Sequence, residues 1–343
     1  MTRSVLDSIT AALLAALQKD PTVLLLGEDI LDPYGGAFKA TRGCSTAYPD
    51  RVISTPISEA GLGGLCAGLA LRGQRPVLEI MFGDFTTLLA DQLINHISKF
   101  RWMYNNSVAV PLVVRTPMGG RRGYGPTHSQ TLEKLFLGVP GLTVAAPLNF
   151  DLPGYGDISQ VLLSRVITET EEPVLFIENK LQYLLPVLSK NDLSDFSATM
   201  NYSADDAARL YPSVTLNIKG APAASVTLTA YGYMAELARQ AQKKLAYEHE
   251  IFTELVLPTR LSPFDTASLE ASTARTGRLL TIEEGTLSLG WGAEIAARVA
   301  SAQPGLRLAR LAAAETPVPA SQVLERATLP QVEDILSFVQ KMV

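Results

Sequence analysis

Along the first half of the chain, short apolar runs alternate with longer stretches of helical periodicity. The runs are TVLLLG at 22–27, RVIST at 51–55, PVLEIMF at 76–82, VPLVVR at 110–115, LTVAAP at 142–147 and PVLFIEN at 173–179. Nearly continuous apolar strands separated by helices indicate a parallel sheet covered on both faces, an α/β architecture. Between about Pro186 and Gly220 the pattern breaks into polar, irregular sequence of the kind found between domains. It resumes with SVTLTAYG, the helical MAELARQAQKKLAYE, the strand-like IFTELVLP, a helix near Ser268 to Thr276, and GRLLTIEEG. The expected organisation is a parallel-sheet domain over 1–186, a linker over 187–220 and a smaller α/β domain over 221–343. There is no internal repeat and no low-complexity tract.

Composition narrows the function class. Of 343 residues, 47% are hydrophobic and 18% charged, the profile of an ordinary globular chain long enough for two cores. The formal net charge is -5 without any Lys/Arg run, which argues against a nucleic-acid or anionic-membrane surface. Cys44 and Cys66 are the only cysteines, too few for a disulfide framework and suited to a reducing compartment. The N-terminal apolar run, Ala11 to Leu17, is flanked by Asp7, Lys19 and Asp20 and predicts an amphipathic first helix. No segment approaches the roughly twenty uninterrupted apolar residues of a membrane span, and the expected location is cytoplasmic.

In open α/β sheets ligands bind beyond the carboxyl ends of strands, so the turns after the apolar runs are where chemistry is expected. Four stand out: GED at 27–29, TPISEAG at 55–61, MFGDF at 81–85, and the glycine-rich segment from Arg115 through His128 to Gln130. In the second, Ser58 is a candidate N-cap and Glu59 falls in the first helical turn. A carboxylate there is ordinarily a surface residue favoured by the helix dipole, but the apolar and small residues around Glu59 imply burial. A buried carboxyl resists ionisation unless a proton-bearing partner shares its site. His128 follows Gly119, Gly120, Gly123 and Gly125, which allow sharp bends or close approach to a ligand. It is either a proton-transferring group or a loop histidine bonded to its own backbone. Phe85 is a core aromatic or a ring that stacks on a flat ligand. His96 and His249 lie outside any strand-end turn.

Several signatures are missing. FGDF with YNNS, at 82–85 and 104–107, superficially matches a Gly-Asp-Gly … Asn-Asn magnesium motif but lacks the second glycine. There is no GxxxxGK[ST] loop, no GxGxxG after a strand, no GxSxG elbow and no HExxH pair.

Taken in order along nearly the whole chain, LLLGEDI, YGGAFKATRG, RVISTPISEAGLGGLCAGLALRG, EIMFGDF with DQLIN, GPTHSQ, PGLTVAAP, LFIENK, GRLLTIEEG with GAEIAA, and LPQVEDIL carry one resemblance. The chain resembles the beta subunit of thiamine-diphosphate-dependent 2-oxo acid dehydrogenases, the decarboxylating component of pyruvate and branched-chain complexes. The resemblance implies a pyrimidine-binding domain of transketolase-like type followed by a transketolase C-terminal-like domain. It implies an alpha subunit that holds the diphosphate and Mg2+, so no metal is assigned to this chain. Glu59 matches the acid that bonds the aminopyrimidine nitrogen and favours the imino tautomer, whose imine then takes the thiazolium proton. Ile57 in the same turn and Phe85 are assigned to cofactor binding, and His128 matches the active-site histidine near substrate and acyl acceptor.

Arg121 and Arg122 depart from the family's habit of small apolar residues in pyruvate-specific members. They either order the loop through surface ion pairs or meet a phosphate or carboxylate of the substrate. The implied activity is decarboxylation of a 2-oxo acid and acyl transfer to a lipoyl-domain acyltransferase or an acyl carrier protein, in an assembly of two alpha and two beta chains. Ketol transfer from a sugar phosphate and a non-catalytic scaffolding subunit are the alternatives.

Overall fold

The computed structural model describes residues 3–343. The chain divides into two compact units, one running to Met118 and resuming over Leu135–Val187, the other formed by Gly119–Lys134 and Leu188–Val343.

The first unit is built on six parallel strands: β1 (Val23–Gly27), β2 (Val52–Ser54), β3 (Arg75–Glu79), β4 (Val113–Met118), β5 (Thr143–Ala145) and β6 (Val174–Asn179), in the order β5-β6-β4-β3-β1-β2. β4 and β6 are buried at every residue, as their unbroken apolar sequences require of strands covered on both faces. Helix α1 (Val5–Lys19) opens with a capping box in which Ser4 Oγ accepts the Asp7 N–H and the Asp7 carboxylate accepts the Ser4 N–H. Its buried face carries Val5, Ile9, Leu13 and Leu17, the four-residue spacing of an amphipathic helix.

Helix α2 (Glu59–Leu71) follows β2, and α3 (Thr86–Asp91) follows the turn after β3 and continues as a π-helical segment over Gln92–Ile97. Small residues in α2 permit close contact with α3. A Cβ on Gly63 would lie 2.2 Å from Leu89 Cδ1, so any larger residue must push the buried Leu89 side chain aside. Helix α4 (Ile158–Glu169) is capped by Asp157, which also accepts the buried Ser8 hydroxyl of α1.

The second unit contains a mixed sheet of β7 (Phe196–Asn201), β8 (Ser213–Ile218), β9 (Val226–Ala230), β10 (Thr253–Pro258), β11 (Arg278–Thr286) and β12 (Arg307–Ala313), in the order β12-β11-β9-β10-β8-β7. Helices α5 (Gly232–His249), α6 (Ala267–Thr276), α7 (Trp291–Ala302), α8 (Gln322–Thr328) and α9 (Val332–Met342) accompany it. The stretch 187–220, expected to link two domains, supplies β7 and β8, which pair antiparallel at the sheet's edge. Edge strands with one wet face read as polar alternation, here Val214 and Leu216 buried between less buried neighbours, rather than as an apolar run. Among the described residues no helix is long and apolar enough to cross a membrane.

Candidate functional site

β2 ends at Ser54, and after four intervening residues α2 begins at Glu59. Ser58 occupies the N-cap position but its side chain makes no capping bond. Glu59 is buried, at 6% exposure, whereas Ile57, two residues earlier, is 81% exposed. A carboxyl group is thus withdrawn from water beside an isoleucine that presents its whole side chain outward. Glu28, just past the end of β1, lies within electrostatic reach: burial and then the like charges of Glu59 and Asp29 push its carboxyl above the ordinary range. Two acids at adjacent strand ends make a locally negative turn where a ring nitrogen able to share a proton would be favoured.

Phe85 closes the short 3-10 turn Gly83–Phe85 that leads into α3, the helix against which α2 packs. It is half-buried and meets Phe82 edge-on, with ring centroids 5.8 Å apart. The glycine of FGDF has a packing reason, because a Cβ on Gly83 would lie 2.4 Å from Met118 Cγ.

In the same sheet β3, β4 and β6 carry a buried ion cluster. Arg115 donates from Nε and Nη2 to the two Glu178 oxygens at 2.9 and 2.6 Å, and from Nη1 to Glu79. The Tyr183 hydroxyl also donates to Glu178. Burial pushes the Glu79 carboxyl up, and against burial the two carboxylates hold the guanidinium above its ordinary range. Cys44 and Cys66 are buried free thiols, each pushed up to about 12 by burial, and behave as core residues.

The glycine-rich segment belongs to the second unit. Gly119, Arg121, Gly123 and Gly125 all have positive φ, 69° to 90°, so the chain winds on itself and turns its N–H groups inward. Three of those groups meet buried carboxylates. Gly120 N–H donates to Glu284 Oε1 at 2.8 Å, Arg121 N–H to Glu325 Oε1 at 2.7 Å, and Gly123 N–H to Glu325 Oε2 at 3.1 Å. The Arg121 guanidinium donates to the Pro330 carbonyl at 2.6 Å and lies over the Tyr233 ring. Its side chain is only 13% exposed. Arg122 is exposed, with its guanidinium over Tyr124. His128 is half-buried, its N–H donates to the Gly125 carbonyl at 3.3 Å, and its Nδ1 lies 3.0 Å from Thr127 Oγ1.

At the end of this segment Glu133 is wholly buried and accepts the Tyr231 hydroxyl at 2.7 Å. Burial and then the like charge of Glu133 push Glu283 up to about 7, although its Oε1 accepts the Gly292 N–H. Glu283 and Glu284 sit where the pairing of β11 with β12 shifts register, and consecutive strand positions aim them differently, one at the start of α7 and one at the loop.

The predicted residues therefore fall in two groups. Ile57, Glu59 and Phe85 belong to adjoining elements of the first unit, and Arg121, Arg122 and His128 to one loop of the second. Glu28, Glu79, Arg115 and Glu178 lie in or beside segments that sequence reasoning singled out, but no local pattern paired Glu28 with Glu59 or joined the other three into a cluster. Glu325 was missed altogether, because ERATLP looks like an ordinary helix end.

Comparison with known proteins agrees with this architecture. Residues 2–184 match the family model of the transketolase pyrimidine binding domain, and residues 217–335 that of the transketolase C-terminal domain. A solved structure titled "Split gene transketolase, inactive beta4 tetramer" superposes with a TM-score of 0.73 over 100% of this chain and 98% of that one, at 21% identity. The fold and the matched domains define a protein of transketolase type.

Pyruvate dehydrogenase E1 component subunit beta-1 of Arabidopsis thaliana is 34% identical over 97% of this chain and 87% of its own. The beta subunit of acetoin:2,6-dichlorophenolindophenol oxidoreductase of Bacillus subtilis is 34% identical over 97% and 95%. The human pyruvate dehydrogenase E1 beta subunit is 30% identical over 98% and 90%. The chain belongs to the family of 2-oxo acid dehydrogenase E1 beta subunits.

Proposed function

We propose that this chain is the beta subunit of a two-component thiamine-diphosphate enzyme that decarboxylates a 2-oxo acid and passes the acyl group to a lipoyl or carrier thiol, active only with an alpha subunit. Two alpha and two beta chains form the working assembly, and the compartment is the cytoplasm. The observation that carries the reading is the buried Glu59 carboxyl at a strand-end turn, beside exposed Ile57 and within reach of a second acid, Glu28. That donor set fits a nitrogen heterocycle: a proton shared between Glu59 and a ring nitrogen offsets the desolvation of the acid.

When bound, thiamine diphosphate supplies the electron sink for decarboxylation, and its diphosphate and Mg2+ rest mainly on the alpha subunit. Glu59 holds a proton at the pyrimidine nitrogen. Phe85 and Ile57 give the flat ring apolar surfaces and exclude water. His128 steadies charge and moves a proton during acyl transfer. Arg121, with its guanidinium turned to Pro330 and Tyr233, orders the loop. Exposed Arg122 is the one of the pair suited to an anionic group on the substrate or carrier.

The test is Glu59→Gln in the enzyme reconstituted with its alpha chain, thiamine diphosphate and Mg2+. Decarboxylation of the preferred 2-oxo acid should fall by about 100-fold or more while the two chains still assemble. Unchanged turnover overturns the assignment.

A further inference from the structure

We infer that Glu325, seconded by Glu284, is a positioning residue that sets the shape of the loop carrying His128. Its carboxylate lies in the first turn of α8, 3% exposed, and holds two N–H groups of one loop at once, those of Arg121 and Gly123. Those donors converge because Arg121 and Gly123 have φ values of 70° and 69°, the curved backbone that wraps an anion. Arg121 is not glycine, and its left-handed conformation has a steric cost that the bonds to Glu325 and Pro330 offset.

The fit is close. A Cβ on Gly120 would lie 3.1 Å from Glu325 Oε1 and 2.8 Å from Leu329 Cδ1, so the backbone is drawn onto α8 as near as a glycine allows. Glu284 takes the Gly120 N–H from another side. Three N–H groups within four residues are thus held by two carboxylates from separate elements, 164 to 204 positions away in sequence. The chain runs only five residues from Gly123 to His128, and these include Pro126 and the bond from the His128 N–H to the Gly125 carbonyl. The imidazole therefore inherits its place from the anchored turn.

The inference deepens the proposed role of His128 and rests on it for its effect on rate, although not for the structural claim. The first measurement uses the full chain with carbon-13-labelled histidine. Only three histidines are present, so His128→Ala assigns the His128 imidazole resonances. Glu325→Gln keeps the shape of the side chain but can accept only one of the two N–H groups. It should shift or broaden the His128 signals and leave those of His96 and His249 in place. His128 signals that coincide with those of the unaltered chain overturn the inference.

The second measurement is turnover of the enzyme reconstituted with its alpha chain. Glu325→Gln should lower kcat by about tenfold or more, since small misplacement of a reacting group has large effects, with KM little changed. The double variant with His128→Ala should be no slower than His128→Ala alone. Rate losses that multiply would overturn the inference. Should His128→Ala leave turnover unchanged, the reading of His128 as a reacting group fails, and the resonances still decide whether Glu325 positions it. If the Gln variant does not fold, Glu325→Asp, which withdraws the carboxylate by one methylene, must shift the same signals.

Discussion

The turn that carries Glu59 and the loop that carries His128 both follow strands of the first unit's sheet, yet they are held by different means. Glu59 is placed by its own neighbourhood: β2 ends, α2 begins, and glycine-to-leucine contact between α2 and α3 fixes the helix. The loop after β4 is placed by acids from the far end of the chain, Glu284 and Glu325, and by a carbonyl 209 positions from Arg121. One site is a property of a strand-turn-helix unit, the other of a carboxylate that arrives last along the chain. The acid's position should survive changes in the second unit, and the histidine's should not.

Glu59→Gln carries the largest expected effect, a loss of about 100-fold or more in turnover. In the same variant the histidine resonances should stay where they are. A moved His128 signal would mean that the two groups share a support that their separate anchoring excludes.

Next comes Arg115, which neutralises two buried acids in the sheet of the first unit. Arg115→Met leaves Glu79 and Glu178 without their cation and should destabilise the chain by about 3–5 kcal/mol in denaturant unfolding. A loss within error of zero would show that the two acids find protons or water without difficulty.

In the second unit the corresponding lever is pH. Burial, then Glu133, push Glu283 up to about 7 from its ordinary 4.5, so the folded chain holds a proton that the unfolded chain releases earlier. Its contribution is fully present below about 4.5 and is lost as pH rises through about 7, a change of about 3 kcal/mol. Glu283→Gln should flatten the dependence of unfolding free energy on pH over that window. A slope that persists in the variant assigns it to another group.

Smaller effects mark the local contacts. Gly63→Ala forces a methyl group against Leu89 and should cost about 1–3 kcal/mol, with Glu59 displaced and turnover reduced. Arg121→Lys removes the planar guanidinium from Pro330 and Tyr233. It should weaken the loop by about 1 kcal/mol, seen as faster proteolysis between residues 119 and 128, with KM for the 2-oxo acid unchanged.

The apolar runs at 22–27, 51–55, 76–82, 110–115, 142–147 and 173–179 each overlap a strand, and those at 110–115 and 173–179 do so because a strand buried on both faces has no polar alternation to disguise it, whereas β2 at 52–54 is half exposed at the edge. The helix N-terminus at Glu59 was readable for a similar reason: the strand, turn and small-residue helix are contiguous. β7 and β8 were hidden in polar sequence, since edge strands need only one apolar face. Glu325 was invisible because a carboxylate in a seven-residue helix has no sequence mark that it will enclose N–H groups 202 and 204 positions earlier.

The chain's own order was enough for the parallel strands, the amphipathic first helix, and the acid at the start of α2, all features set by neighbours in the chain. Tertiary structure alone decided that residues 119–134 belong with the C-terminal unit, that Arg121 turns inward, and which acids are buried together. The physical reason is range. Backbone periodicity and capping act over a few residues, whereas desolvation and hydrogen bonding to a buried carboxylate depend on whatever the completed fold brings beside it.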